Sequence, residues 1–140
     1  MIEHKANGIH IIADFKGMKN PFLIADDFTA AAKQTGATIE AEAHKSFEIG
    51  GITSVILLSE SHLSAHTWPE QNYMAVDVFT CGDNCDPLKA IEFLSDKTGT
   101  IEIHIRIIGR GNERIPWELE DRIRSKKDFD RIRTVYYKLR

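Results

Sequence analysis

The chain has 140 residues, 42% of them hydrophobic, and a formal net charge of −3, which suits one ordinary globular domain. It shows no basic segment followed by a long apolar block, and no apolar run near the roughly 20 residues that span a bilayer. We therefore expect a soluble, cytoplasmic protein. Residues 1–109 hold 8 Lys and Arg against 15 Asp and Glu, whereas residues 110–140 hold 10 against 6. This asymmetry predicts an acidic domain over 1–109 and a basic extension over 110–140.

The chain begins with the pattern of a strand and a helix. "GIHIIADFKG" alternates apolar and polar residues, as a half-buried strand does. In "NPFLIADDFTAAAKQTG", Asn20 can cap a helix, Pro21 suits its first turn, and Gly36 can close its end. Two more strands are predicted after it, because "ATIEAEAHKSF" alternates and "GITSVILLSE" is almost continuously apolar.

The order of elements predicts the fold class. "YMAVDVFT" has the pattern of a strand, and "DPLKAIEFLSDKTG" that of a helix with Asp86 as cap and Gly99 after its end. "TIEIHIRIIG" then alternates as a further strand. Five strands and two helices in this order predict an α+β fold: a two-layer α/β sandwich with a mostly antiparallel sheet and helices on one face. The other face of the sheet then needs a cover or a partner.

The tail follows a predicted hinge at Gly109-Arg110-Gly111. Its apolar residues Leu119, Ile123, Ile132 and Tyr136 recur at helical steps among many charges, which predicts a helical extension. A basic segment beside an acidic body favours docking onto that body or onto a dimer mate over contact with nucleic acid.

The two cysteines, Cys81 and Cys85, are spaced as C-x3-C. This spacing fits neither the C-x2-C pairs of common zinc sites nor the many bridges of a small secreted scaffold. We expect free thiols.

The stretch "LLSESHLSAHTWPE" carries the most chemistry, and three hypotheses compete for it. A hydrolase nucleophile elbow needs a G-x-S-x-G turn, and no glycine is near. His62 and His66 would converge on a metal if the segment were helical, but Pro69 and the strand pattern favour extended chain. Taken singly, Ser61 and each histidine are more often ordinary polar residues of a strand end. The third hypothesis is a serine that reacts with its own preceding peptide bond.

The motifs "SESHLSAHTWPE" and "YMAVDVFTCGD", with "GIHIIADFKG" and "GITSVILLSE", strongly resemble the S-adenosylmethionine decarboxylase proenzymes of the short bacterial and archaeal type. The resemblance extends over roughly residues 8–109. It implies that the Ser61 hydroxyl attacks the carbonyl of Glu60 and that the chain separates between these residues. Ser61 then becomes a pyruvoyl group, the cofactor that forms a Schiff base with the substrate amine and accepts electrons as CO2 leaves.

The resemblance also implies roles for three further residues. His66 corresponds to the base of the processing step, and Cys81 to the proton donor of decarboxylation. Thr53 stands where the family commonly has a serine that assists processing, so the hydroxyl is retained with an added methyl group.

Phe47, Trp68 and Glu70 match positions that the family uses for substrate binding. S-adenosylmethionine offers an adenine, a sulfonium cation and a ribose diol, which suit aromatic faces and a carboxylate acceptor. The surrounding "HKSFEIGG" lacks the polar, proline-bearing loop that is common in the family.

The resemblance implies a homodimer of processed protomers, without a metal, that acts in spermidine biosynthesis. Charge and hydropathy predict no nucleic-acid partner and no membrane partner. Two alternatives stay open from the sequence. The first is a pyruvoyl decarboxylase of a free amino acid such as ornithine or arginine on the same scaffold. The second is a non-enzymatic partner protein with a vestigial site.

Overall fold

The computed structural model describes residues 7–81, 84–111, 117–124 and 132–138. In chain order the elements within these ranges are β1 Gly8–Lys16, α1 Ala25–Gln34, β2 Ile39–Ser46, β3 Ile52–Leu58, β4 Ser61–Trp68, a 3-10 turn Pro69–Gln71, β5 Tyr73–Cys81, α2 Pro87–Thr98, β6 Glu102–Arg110, α3 Trp117–Arg124 and β7 Ile132–Lys138. No helix in these ranges combines the length and the hydropathy that a membrane crossing requires.

The strands form one sheet in the order β2-β3-β4-β5-β1-β6-β7. Neighbouring strands are antiparallel except β6 and β7, which are parallel. Helices α1 and α2 pack against each other and against strands of the sheet. The predicted α+β sandwich with a mostly antiparallel sheet and helices on one face is confirmed.

Strand alternation decides which side chains face the helices. Ile11 and Phe15 of β1 are fully buried, and they share one apolar core with Phe28 of α1 and Leu94 of α2. Each large apolar side chain buried in this way contributes about 1.5–3 kcal/mol to stability. The helix layer therefore fixes one face of the sheet as the core.

The opposite face of the sheet, here called the open face, is not covered by α1 or α2. Its exposed apolar side chains include Val55 and Leu57 of β3 and Trp68 of β4. The cross-strand register aligns on this face a row of polar and aromatic residues. They are His10, Asp14, Thr53, His62, Ser64, His66, Tyr73, Asp77, Phe79, Cys81, His104 and Arg106.

Strand β4 corrects the five-strand prediction. The pattern of residues 61–68 predicts extended chain, but the five predicted strands do not include this segment. In the structure Leu63, Ala65 and Thr67 alternate into the core, and β4 pairs with β3 and β5 along its length. Ser61 therefore begins a second buried strand directly after the two-residue turn that ends β3.

Helix α1 begins later than predicted. The backbone N–H groups of Lys19 and Asn20 donate to the carbonyl of Thr98, so this segment is held to the end of α2 and does not start a helix. The Asp27 carboxylate instead accepts from the backbone N–H of Ile24, which caps α1 four residues further along.

Helix α2 has the predicted ends. The Asp86 carboxylate accepts from the backbone N–H of Leu88 at 3.1 Å. Gly99, with φ +61°, closes the other end in the left-handed conformation.

The tail is helical only in part. Leu119 and Ile123 of α3 are buried, and Arg122 forms ion pairs with Asp86 and, at 2.8 Å, with Glu92. The helical expectation is wrong for 132–138, which form β7 beside β6. The sequence "IRTVYYK" is rich in β-branched and aromatic residues, and the edge of β6 offers unpaired backbone groups for it to bond.

Candidate functional site

The bond between Glu60 and Ser61 lies at a tight hairpin turn. Leu58 and Ser61 are cross-strand partners, so only Ser59 and Glu60 connect β3 to β4. Glu60 has φ +57°, in the left-handed region that residues with a β-carbon rarely adopt. Such a conformation costs about 1–3 kcal/mol and persists only where the surrounding structure imposes it.

Cys81 contacts both the Ser61 hydroxyl and the Glu60 carbonyl. Its backbone N–H donates to Ser61 Oγ at 3.1 Å, and its Sγ donates to the Glu60 carbonyl oxygen at 3.2 Å. The antiparallel pairing of β4 and β5 causes this convergence, because it places the last residue of β5 beside the first residue of β4. The structure therefore brings together the predicted cleavage bond and the predicted proton donor.

The Cys81 thiol is held in its protonated form. Burial is the largest cause that raises its pKa, and the charges of Glu60 and Cys85 raise it further. The hydrogen bond with Ser61 and the charge of Arg110 act in the opposite direction without cancelling the rise. A thiol of raised pKa is a proton donor at neutral pH and a weak nucleophile.

His66 does not lie near Ser61 within one chain. The two residues are five positions apart on an extended strand, which is about 17 Å. Their side chains also point to opposite faces: Ser61 is 6% exposed on the helix side, whereas His66 is on the open face. There its Nδ1 lies 3.1 Å from Thr53 Oγ1.

The predicted substrate-binding residues gather around His66 and Thr53. Together they line a cavity of 570 Å³ formed by the end of β4 and the hairpin loop between β2 and β3. Its lining includes Phe47, Thr53, His66, Trp68 and Glu70. The residues predicted from the sequence thus form two groups at opposite ends of β4. We call them the cleavage group, which is Glu60, Ser61 and Cys81, and the cavity group, which is Phe47, Thr53, His66, Trp68 and Glu70.

Aromatic contacts fix the wall of the cavity. Trp68 stacks on Tyr73 with ring centroids 5.3 Å apart, and the ring of His66 lies 6.1 Å from that of Trp68. The loop is closed by two backbone hydrogen bonds between Phe47 and the glycines at 50 and 51. An ordered aromatic surface of this kind suits a flat, electron-deficient ligand group.

Sequence reasoning missed two polar clusters on the open face. In one, Tyr73 donates to Asp14 at 2.5 Å and Arg106 lies 3.4 Å from the same carboxylate. Burial and this carboxylate raise the pKa of Tyr73 to about 12. The other cluster joins His10, His62 and Asp77. The alternation of each strand gives the face of these residues, but only the strand order brings them together.

Fold and site describe a two-layer α+β protein in which a serine and a thiol meet a strained turn at the start of strand β4. A model of the S-adenosylmethionine decarboxylase family matches residues 9–111. The S-adenosylmethionine decarboxylase proenzyme of Thermosipho africanus is 41% identical over 106 residues, 72% of this chain and 82% of that protein. The proenzyme of Moorella thermoacetica is 37% identical over 112 residues, 76% and 90% of the two chains.

A solved structure agrees with this. The crystal structure of the adenosylmethionine decarboxylase from Aquifex aeolicus VF5 superposes with a TM-score of 0.69 and 30% identity, covering 81% of this chain and 98% of that one. The chain belongs to the S-adenosylmethionine decarboxylase family.

Proposed function

We propose that this chain is the proenzyme of an S-adenosylmethionine decarboxylase, a carboxy-lyase that supplies the aminopropyl donor for spermidine. It cuts itself between Glu60 and Ser61, and Ser61 becomes the pyruvoyl cofactor. The observation that carries the proposal is the convergence of Ser61 Oγ, the Glu60 carbonyl and the Cys81 thiol at one strained turn.

The cleavage step follows from these contacts. Ser61 Oγ attacks the carbonyl carbon of Glu60, and the Cys81 thiol donates a hydrogen bond to the oxygen that becomes negative. The peptide bond is replaced by an ester, and the left-handed strain at Glu60 favours leaving the starting state. A base then removes the α-proton of Ser61, and Glu60 departs as a carboxylate, which leaves a dehydroalanine with a free amine at position 61. This enamine tautomerises to an imine, and water hydrolyses the imine to the pyruvoyl carbonyl with release of ammonia.

The base in this proposal is His66 of a second copy. Within one chain His66 is about 17 Å from Ser61, which is too far for it to remove that proton. The open face exposes Val55 at 47% and Leu57 at 53%, which suits burial against another sheet. A two-fold axis between the sheets and perpendicular to β4 would set the cleavage group of each protomer over the cavity group of its partner.

This arrangement gives the same cavity group two tasks. His66, with Thr53 beside it, completes the processing site. Phe47 and Trp68 provide faces for the adenine and the sulfonium, and Glu70 accepts from the ribose hydroxyls. Cys81, with its raised pKa, delivers the proton to the substrate's α-carbon after CO2 leaves.

A mixing experiment tests the shared site. We expect Ser61→Ala and His66→Ala to stay uncut when each is expressed alone. Co-expressed, they should form mixed dimers in which the intact Ser61 of one copy meets the intact His66 of the other. Random pairing then restores about a quarter of the wild-type cleavage. The fraction of cut chain, measured by denaturing mass spectrometry, should come only from the His66→Ala chain. No cleavage in verified mixed dimers would place the base within the same chain.

The substrate assignment is tested by CO2 release. S-adenosylmethionine should be decarboxylated much faster than ornithine or arginine, and Phe47→Ala should raise KM for it about 10-fold through loss of an aromatic face. Phe47→Ala should still be fully cut, and Phe47→Tyr should restore KM. Faster turnover of ornithine or arginine would assign the chain to the amino-acid decarboxylases instead.

A further inference from the structure

Three strands bring two histidines and one carboxylate to a single point on the open face. His10 Nε2, His62 Nε2 and Asp77 Oδ1 all lie within 4.8 Å of one another. His62 Nε2 is 3.3 Å from Asp77 Oδ1, and His10 Nε2 makes a short contact with the same oxygen. Two nitrogens and an oxygen bound to one tetrahedral zinc ion are about 3.3 Å apart, so small adjustments would suit the ion.

The sheet register builds this cluster. His10 and His62 are both cross-strand partners of Phe79, one on each side of β5, and Asp77 lies two residues before Phe79 on the same face. The ring of Phe79 packs edge-on against His10 at 5.6 Å and lies 6.0 Å from His62. Strand backbones and an aromatic neighbour therefore hold both imidazoles.

Burial also suits a cation. Within one chain the side chain of His10 is 14% exposed, whereas those of His62 and Asp77 are each 37% exposed, so the cluster is accessible from the open face. Neutral imidazoles and an ionised carboxylate are the forms of these side chains that bind a metal.

We propose that His10, His62 and Asp77 bind one divalent transition-metal ion of the zinc type, with a fourth coordination position directed toward the open face, which the partner sheet would cover in the proposed dimer. Two imidazoles and one carboxylate with an open position are a ligand set that proteins use for such ions. This site departs from the sequence expectation of no metal. The sequence pattern offers His62 with His66, which the strand places apart, whereas His10 meets His62 only through the order of strands in the sheet.

The site has a specific place in the processed protein, and this part of the inference rests on the proposed cleavage. His62 is the residue after Ser61, so it would become the second residue of the new chain. His10 belongs to the other chain, residues 1–60. A metal at this site would tie the new chain end to β1 and hold the cofactor-bearing residue against the end of β5.

Cobalt binding tests the site without using activity. Co²⁺ in a tetrahedral site with nitrogen and oxygen ligands gives visible d–d absorption that Zn²⁺ abolishes by displacement. Metal-stripped Ser61→Ala, which keeps the three ligands in one uncut chain, should bind one Co²⁺ per chain with a dissociation constant on the order of micromolar or tighter. His10→Ala, His62→Ala and Asp77→Asn should each weaken binding at least about 100-fold.

His44→Ala is the matched control. His44 also lies beside a carboxylate, 3.2 Å from Glu42, but with no second histidine among the described residues there, so its loss should leave Co²⁺ binding unchanged. Because a ligand variant could be misfolded, the wild-type protein provides a second measurement. Zn²⁺ should protect His10 and His62, and not His44, from acylation by diethyl pyrocarbonate.

The outcomes are distinct. Stoichiometric binding lost in the three variants supports the site, whether or not the wild type cuts itself. Absence of Co²⁺ absorption at millimolar metal, or protection that does not fall on His10 and His62, would overturn it and leave Asp77 as a hydrogen-bond partner of two histidines. If Ser61→Ala binds the metal but the wild type never cuts, only the role in joining two chains fails.

Discussion

Ser61→Ala is expected to remain a single chain of 140 residues and to release no measurable CO2 from S-adenosylmethionine. Without the hydroxyl the proposed nucleophile for the Glu60 carbonyl is lost, and without a serine ester there is no route to a pyruvoyl group at position 61. The fold should be kept, because β4 retains its partners on both sides. Denaturing mass spectrometry gives the chain length, and circular dichroism checks the fold.

Ser59→Ala is the control for this variant. Ser59 is in the same turn, where its hydroxyl donates to Glu40 at 2.5 Å, but it is not a partner of Cys81. It should be cut between residues 60 and 61 like the wild type. Cleavage of Ser61→Ala at this position, or loss of cleavage in Ser59→Ala with the fold intact, would contradict the assignment of the nucleophile.

Cys81→Ala is expected to be cut slowly and to turn over at least about 100-fold more slowly than the wild type. Cleavage slows because no thiol donates to the Glu60 carbonyl oxygen. Turnover falls because the electrons left by CO2 can be protonated at the substrate's α-carbon or at the former keto carbon, and Cys81 directs the proton to the first. In the variant more protons should reach the second carbon. The cofactor then ends as an alanine-like terminus, visible by mass after many cycles.

Two comparisons separate this role from a structural one. Cys85→Ala keeps the donor and should turn over normally, whereas Cys81→Ser keeps the shape but has a far higher pKa and should donate poorly. Because the pKa of Cys81 is raised, the wild-type rate should persist at neutral pH and fall only as the thiol ionises at alkaline pH. A wild-type rate in Cys81→Ala, with the pyruvoyl mass unchanged after many cycles, would remove Cys81 from the mechanism.

Local pattern was sufficient for much of the fold. The helix that starts at Asp86 and ends at Gly99 could be predicted because both caps are encoded by the residues themselves. The alternation of β1 and β6 likewise gave the buried face of each strand. The predictions are wrong where contacts between distant segments determine the local structure. The Thr98 carbonyl binds the segment in which α1 was predicted to begin, and pairing with β6 makes 132–138 a strand.

The sequence predicts which residues belong to the candidate site more fully than it predicts how they are arranged in space. Resemblance gave Ser61, Cys81 and His66 their roles, and the strand pairing then shows how closely Cys81 meets Ser61 and that His66 lies at the far end of β4. The His10, His62 and Asp77 cluster needed even more, because residues up to 67 positions apart meet only once the order β4-β5-β1 is known. The division of 1–109 from 110–140 as separate units stays a prediction.

The most direct test of this account is the mass of the purified wild-type protein under denaturing conditions. We predict two chains, one ending at Glu60 and one beginning at position 61 with a pyruvoyl group in place of the serine, so that the second chain resists amino-terminal sequencing. A wild-type protein that remains a single intact chain after long incubation in its native fold, yet releases CO2 from S-adenosylmethionine, would contradict the central claim.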